Sequence, residues 1–362
     1  MIQASAPGKL YIAGEYAVLE PGHPAILVAL EQYITVRLKE TNNLGTIRSS
    51  LTNNFPILWT RKQGKFFIDQ RENPFAYVAE AVTTTEKYIQ ELGKKLTFFN
   101  IEIDSDLDNK DGRKYGLGSS GAVTVATIKA LLKFYRVAFT HETVYKLAAI
   151  THLAINSNGS FGDLAASTYG GWIAYSCFDR DWLAKELTKH SLLEILEMEW
   201  PLLSIQPLEA PEDLELLIGW TGSPASTTHL VDLLNDEKAE IKETYQVFLK
   251  KSKQIVSQII TAFQEQNLSA IQHGIRENRA LLQKLGSSSR VHIETSALFE
   301  LCEIAEDYMG AAKSSGAGGG DCGIVLINKT KDHFELFKEW KNAGITHLPL
   351  AVHHEKLPVS IK

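Results

Sequence analysis

Arg113-Lys114-Tyr115-Gly116-Leu117-Gly118-Ser119-Ser120-Gly121-Ala122-Val123 packs three glycines and two hydroxyls into six residues, sets two cations just before them, and runs straight into an apolar stretch. Glycine lets a backbone aim its N–H groups at a ligand with no Cβ in the way. In the stretch that follows, Val125, Ile128, Leu132 and Tyr135 recur at helical spacing. A helix beginning here offers unsatisfied N–H groups and the positive end of its dipole, which together hold phosphate. The segment is therefore read as a loop for the phosphates of a nucleoside triphosphate.

Three other nucleotide-binding designs use similar residues. Gly116, Gly118 and Gly121 satisfy G-x-G-x-x-G, but a Rossmann site places its glycines directly after a strand. Here a polar run containing Asp104, Asp106, Asp108 and Asp111 intervenes. No G-x-x-x-x-G-K-[ST] stretch occurs, nor do His-Arg-Asp and Asp-Phe-Gly, so Walker A and protein-kinase readings fail. What remains is a glycine–serine loop at a helix start. Ser120 is a candidate magnesium ligand and Ser119 a candidate partner of a phosphate oxygen, because magnesium takes oxygen donors. The competing reading has one of these serines merely capping the helix.

Upstream of the loop the pattern is mainly β, with short Ile, Val, Tyr and Phe-rich runs at 10–13, 25–30, 33–39, 66–68 and 98–103. A helix is expected over 74–92, with Pro74 in its first turn. Downstream, a second helix carries Val144, Leu147, Ala148 and Thr151, and a strand follows at 171–177. Beyond a mixed, proline-bearing region come a strand at 214–220 and long helical patterns over 225–285. A helix at 296–312, a strand at 323–328, a helix at 332–342 and a last strand complete the chain.

With 362 residues the chain has length for two domains, and 44% apolar against 22% charged residues is an ordinary globular balance. No apolar run approaches the ~20 residues that cross a bilayer, so no membrane partner is expected. A net charge of −6 disfavours a broad nucleic-acid surface. Any polyphosphate must then meet locally gathered cations. Lys9 follows Gly8, Arg113 and Lys114 precede Gly116, and Lys313 precedes the glycines from Gly316; chance neighbours would look the same at any one place. The three well-separated cysteines, Cys177, Cys302 and Cys322, argue against a disulfide framework or a zinc site and point to a cytoplasmic location.

Three segments together resemble the GHMP kinases. They are Ala6-Pro7-Gly8-Lys9-Leu10-Tyr11-Ile12-Ala13-Gly14-Glu15-Tyr16, the phosphate loop, and Lys313-Ser314-Ser315-Gly316-Ala317-Gly318-Gly319-Gly320-Asp321-Cys322-Gly323. They stand in the family's order and span nearly the whole chain. Gly159-Ser160-Phe161-Gly162-Asp163-Leu164-Ala165-Ala166-Ser167 and Gly219-Trp220-Thr221-Gly222-Ser223-Pro224-Ala225-Ser226-Thr227 are similar to the phosphomevalonate kinase branch. The resemblance implies a two-domain α+β fold, divided here at 1–195 and 196–362. It implies a mixed α/β first domain with a ribosomal-protein-like βαβ unit, a ferredoxin-like second domain, and a site in the cleft between. It further implies ATP-dependent phosphorylation of (R)-5-phosphomevalonate to the diphosphate, with Mg²⁺ as cofactor. A mevalonate kinase acting on a hydroxyl, or a non-catalytic ligand sensor, are the alternatives. One position departs from the pattern: mevalonate kinases carry a magnesium-binding Glu where this chain has His152.

Carried onto this sequence, the resemblance makes Asp163 and Lys9 the catalytic candidates. Asp163 would orient the acceptor phosphate, and Lys9 would offset charge on the moving phosphoryl group and pair with Asp163. Asp163 as a plain helix cap is the rival reading. Lys114, Gly116, Gly118, Ser119, Ser120 and Gly121 are candidates for the ATP phosphates, and Lys114 also for the acceptor phosphate. The acceptor set is Ser160, Gly162, Ser223, Ser226, Gly316, Ala317, Gly318 and Gly319, with a capped helix as the rival for Ser223 and Ser226. The 316–320 run reads as a loop that closes over ligands. Tyr77 and Trp220 read as buried aromatics before ligand contacts.

Overall fold

Buried Ile34, Val36 and Leu38 alternate with less buried Thr35, Arg37 and Lys39, the period of a strand with one face on a core. Residues 25–30 are buried without alternation, as in a strand covered on both faces. In the computed structural model, which describes residues 1–50, 55–63, 65–68, 75–107 and 115–354, both runs belong to one strand, β2 (Pro24–Thr41). It pairs antiparallel with β1 (Ile2–Ala13), and the register passes from Pro7↔Tyr33 to Gly8↔Leu30. Glu31 and Gln32 thus face no residue of β1. A bulge of this kind bends the strand that carries the extra residues, β2, and Lys9 on β1 is the second residue past the register shift, paired with Ala29.

β3 (Gly45–Ser49), β4 (Ile57–Lys62), β5 (Lys65–Ile68), β6 (Phe98–Ser105), β7 (Trp172–Ser176) and β8 (Ser204–Leu208) complete an eight-stranded sheet. Its order is β5-β4-β3-β6-β2-β7-β8, with β1 on β2. β3 and β6 are parallel, and the connection between them includes α1 (Ala76–Glu91). Pro74, the expected helix start, lies outside the described residues. Against this sheet pack α2 (Ser119–Phe134) and α4 (Gly162–Tyr169), with α3 (His141–Ala154) behind them. α2 is buried from Thr124 to Leu132 on every side, Lys129 included. A helix covered all round cannot drift, so the loop at its N-terminus is fixed by the core.

After α5 (Arg180–Glu186) and α6 (Leu192–Glu197) the chain still adds β8 to the first sheet. The change of sheet therefore falls between Leu208 and Leu214, later than the 195/196 division. The second sheet holds β9 (Leu214–Trp220), β10 (Ala311–Ser314), β11 (Cys322–Asn328) and β12 (Thr346–His347) in the order β10-β11-β9-β12, with antiparallel registers. α7 (Thr227–Glu237), α8 (Lys242–Gln264), α9 (Leu268–Ser288) and α10 (Ser296–Asp307) precede β10, and α11 (Phe334–Asn342) precedes β12. The first and third strands are central, the ferredoxin-like order. The helix expected to reach residue 312 ends earlier, because Met309 takes φ +62° and turns the chain into β10.

The two sheets are tied by buried polar contacts. Lys313 on β10, fully buried, forms an ion pair with buried Glu15 after β1 and donates to Ser314 O at 2.6 Å. Removing one partner leaves a charge stranded in the interior. Lys313→Met is expected to lower unfolding free energy by about 3–5 kcal/mol, read from urea denaturation, with Glu15→Gln added to it restoring part of the loss.

Candidate functional site

Past the bulge, Lys9 N donates to Leu117 O at 2.8 Å and its ammonium to Gly116 O at 3.2 Å, so β1 lies alongside the phosphate loop. Gly118, at φ +77°, is the residue before α2, with no side chain capping the helix's first N–H groups. Those groups face a cleft of about 770 Å³ between the two sheets. The rival reading of Ser119 and Ser120 as caps is not what the chain adopts, since both lie inside the first turn.

Asp163 reaches the cleft from the first turn of α4. Phe161, at φ +62°, precedes that helix and Asp163 is not its cap. Gly121 makes room for it: a Cβ there would fall 2.6 Å from Asp163 Oδ2. Gly118 does the same for Lys9, where a Cβ would fall 2.9 Å from Cε. The glycines thus admit side chains as well as ligand. Gly121→Ala is expected to cut turnover at least about tenfold with little change in melting temperature, since small displacements of a positioned group are costly.

Lys9, Gly116, Gly118, Ser119, Ser120, Ser160, Asp163, Ser226, Gly316 and Ala317 all line the cleft. Gly121 and Gly162 lie behind its wall, Gly162 leaving space for the Tyr11 hydroxyl. Ser226 caps α7, its Oγ accepting from His229 N at 3.4 Å, and still borders the cleft. Ser223 is placed otherwise: its carbonyl accepts from Asp321 N at 2.7 Å, and its side chain is exposed away from the lining. Gly318 and Gly319 pack on the 291–293 segment, with Gly319 N donating to Ile293 O at 2.8 Å. Lys114 and Arg113 lie outside the described residues.

The 316–320 run is held down in this structure. Ser315 Oγ donates to Tyr11 O and accepts from Tyr11 N, both at 2.9 Å, and Tyr16 OH donates to Ala317 O. Gly318, Gly319 and Gly320 serve close packing, while Gly316 borders open space, so in this structure the run forms a clasp across the two sheets.

The structure adds roles around the cleft that the sequence had not assigned. Tyr11 shares a short hydrogen bond with Ser160 Oγ. Burial, with Asp163 second, pushes the Tyr11 phenol far above its ordinary value, so it stays protonated. Tyr77 is half-buried on the cleft wall rather than in the core, with its ring 4.9 Å from that of His152. His152 bonds Thr124 Oγ1 at 3.0 Å, and burial lowers its pKa against the pull of Asp163. Arg180 secures the acid loop from behind, donating to Gly159 O at 2.8 Å and lying 4.9 Å over the Phe161 ring. Trp220 is buried, as read.

Burial lowers the Lys9 pKa, while Asp163 and then Asp321 oppose that effect. The expected partnership of Lys9 with Asp163 is thus one of field, since the ammonium's hydrogen bond goes to Gly116 O. Such a cleft, with Lys9 as its cation among the described residues, facing carboxylates and the N-terminal turns of α2, α4 and α7, can align two anions and stabilise charge passing between them.

The family model for the GHMP kinases N terminal domain matches residues 76–171, and that for the GHMP kinases C terminal matches 259–346. The chain is 37% identical over 357 residues to a phosphomevalonate kinase of Streptomyces sp. (strain CL190), covering 95% of each. It is similar at TM-score 0.85 and 31% identity to Streptococcus pneumoniae phosphomevalonate kinase in complex with phosphomevalonate and AMPPNP, covering 97% of this chain and 100% of that one. A mevalonate kinase of Methanocaldococcus jannaschii is 28% identical over 339 residues, covering 92% of this chain and 94% of the relative. Near-full-length likeness on both sides of the cleft, stronger to the phosphomevalonate kinases than to the mevalonate kinase, places this chain in the GHMP kinase family, on its phosphomevalonate kinase branch.

Proposed function

We infer that the protein is a phosphomevalonate kinase, transferring the γ-phosphoryl group of ATP to the phosphate of (R)-5-phosphomevalonate and releasing ADP and the 5-diphosphate. The carrying observation is the near-full-length 37% identity to an enzyme of that name. A cleft bounded by the N-terminal turns of α2, α4 and α7 suits two polyanions.

Phosphoryl transfer asks the protein for alignment and for cancellation of charge. The α2 N-terminus with Gly116, Gly118, Ser119 and Ser120 takes the nucleotide phosphates. Ser160, Ser226 and Ala317 border the acceptor. Asp163 orients the acceptor oxygen, which is already anionic and needs no strong base. Lys9 offsets charge as the phosphoryl group moves. Magnesium fits the donor set: Ser119 and Ser120 offer hydroxyl oxygens at the helix start. Among the described residues no group of three His, Cys, Asp or Glu is placed to hold a metal by itself. Ser120 would therefore hold Mg²⁺ together with phosphate oxygens and water. When bound, that ion neutralises phosphate charge. His152, beside Tyr77 and Thr124, is an imidazole and so adds no negative charge beside the two anions.

No helix among the described residues is long and apolar enough to cross a membrane. Cys177, Cys302 and Cys322 are buried free thiols, which supports a cytoplasmic location. The reading is tested by coupled ADP release with ATP, Mg²⁺ and either 5-phosphomevalonate or mevalonate. Turnover on the phosphorylated acceptor is expected; turnover on mevalonate alone would transfer the chain to the rival reaction, and none on either would favour a sensor.

A further inference from the structure

The tip of β11 touches both halves of the cleft through one residue. Asp321 stands at φ +53°, a left-handed backbone that Asp and Asn tolerate better than other side chains. Its backbone is bonded on both sides to the turn before α7: its N–H donates to Ser223 O at 2.7 Å, and its carbonyl accepts from Thr221 N at 2.9 Å and Thr221 Oγ1 at 3.0 Å. Its carboxylate Oδ1 accepts from Ala225 N at 3.1 Å, immediately before the Ser226 cap of α7. The other oxygen lies against the phosphate loop, where a Cβ on Gly116 would fall 2.5 Å from it. Cys322, the next residue, donates from Sγ to Tyr115 O at 3.1 Å on the same loop.

We propose that Asp321 is a positioning residue whose carboxylate sets the distance between the nucleotide loop at 116–121 and the acceptor-side start of α7. The two loops come from different sheets and are far apart in sequence, so nothing local fixes their separation. One rigid, two-oxygen side chain touching both does. In phosphoryl transfer that separation decides whether the attacking and leaving oxygens can line up, and a shift near 1 Å costs about a hundredfold in rate. The left-handed backbone is part of the device, because it points a short side chain back over Gly116. Each loop keeps its own phosphate-binding groups, so the effect belongs to kcat rather than to the binding of either substrate.

This rests on the phosphotransfer reading above, and two substitutions separate position from charge. Asp321→Asn keeps an oxygen for Ala225 N and keeps the length, but loses the charge. Asp321→Glu keeps the charge and adds a methylene where Gly116 leaves no room. Steady-state ADP release, read on the pH plateau below the basic limb of Lys9, should show Asn retaining kcat within about threefold, and Glu losing at least about tenfold with the KM for ATP within about threefold. Glu turning over at the unmodified rate, Asn falling as far as Glu, or the reverse order would each overturn the proposal. Unmodified protein assayed alongside with 5-phosphomevalonate tests the reaction itself, so a failure there is distinct from a failure of Asp321.

Discussion

Asp163→Asn should lower kcat by about a hundredfold or more while the KM for ATP changes by less than about threefold. The substitution is close to isosteric, so the amide keeps its place against Gly121 and at the first turn of α4, and only the charge is lost. That charge stands where the acceptor oxygen must be oriented and is the leading carboxylate acting on Lys9. Losing it therefore acts twice, on alignment and on the ammonium that offsets transition-state charge. Single-turnover rates with saturating ATP separate this from binding. Near-normal chemistry in the Asn variant would remove Asp163 from the mechanism.

Lys9→Met should also cost about a hundredfold in kcat, because a hydrophobic chain of similar length fills the channel beside Gly118 without its charge. The pH profile gives this prediction a sign. Burial lowers the Lys9 pKa below the ordinary 10.5, opposed by Asp163, Asp321, Cys322 and Glu15 in that order. The active form carries the ammonium, so rate should fall as pH rises through that lowered value, on a basic limb below 10.5. The limb should vanish in Lys9→Met. In Asp163→Asn it should move to lower pH, since the neighbouring negative charge that favours the ammonium is gone. A change confined to ATP affinity in Lys9→Met would reassign Lys9 to ground-state binding.

The device at Asp321 and the Glu15–Lys313 pair bear on how such a cleft holds its shape. Both join residues of different sheets, and both are buried or half-buried where water cannot replace them. In the third segment of the resemblance, Gly318 and Gly320 pack closely on Ile293 and Ser223, and Ser315 and Ala317 are bonded to Tyr11 and Tyr16. In a sequence, glycine that permits motion and glycine that permits close packing look alike. The difference lies in what occupies the space a Cβ would take.

The sequence by itself determined the anion-binding loop and many of the elements, while β3, β4, β8, α5 and α6 fell in stretches it left unassigned. Burial of one face imposes a period of two or 3.6 on neighbouring residues, so β9, α2 and the glycine–serine turn at 116–121 are legible in the letters. The bulge at Glu31 and Gln32, two residues of β2 left without partners on β1, was not legible, because both flanking runs read as separate strands. Nor did local pattern separate Asp163 as a cleft carboxylate from Asp163 as a cap, or show that Ser223 serves through its carbonyl. Those outcomes depend on strand register and on helices packing from residues far apart in the chain. Only the tertiary structure decided them, since the convergence of Lys9, Asp163 and Asp321 on one cleft is a property of long-range contacts that no short window of sequence contains.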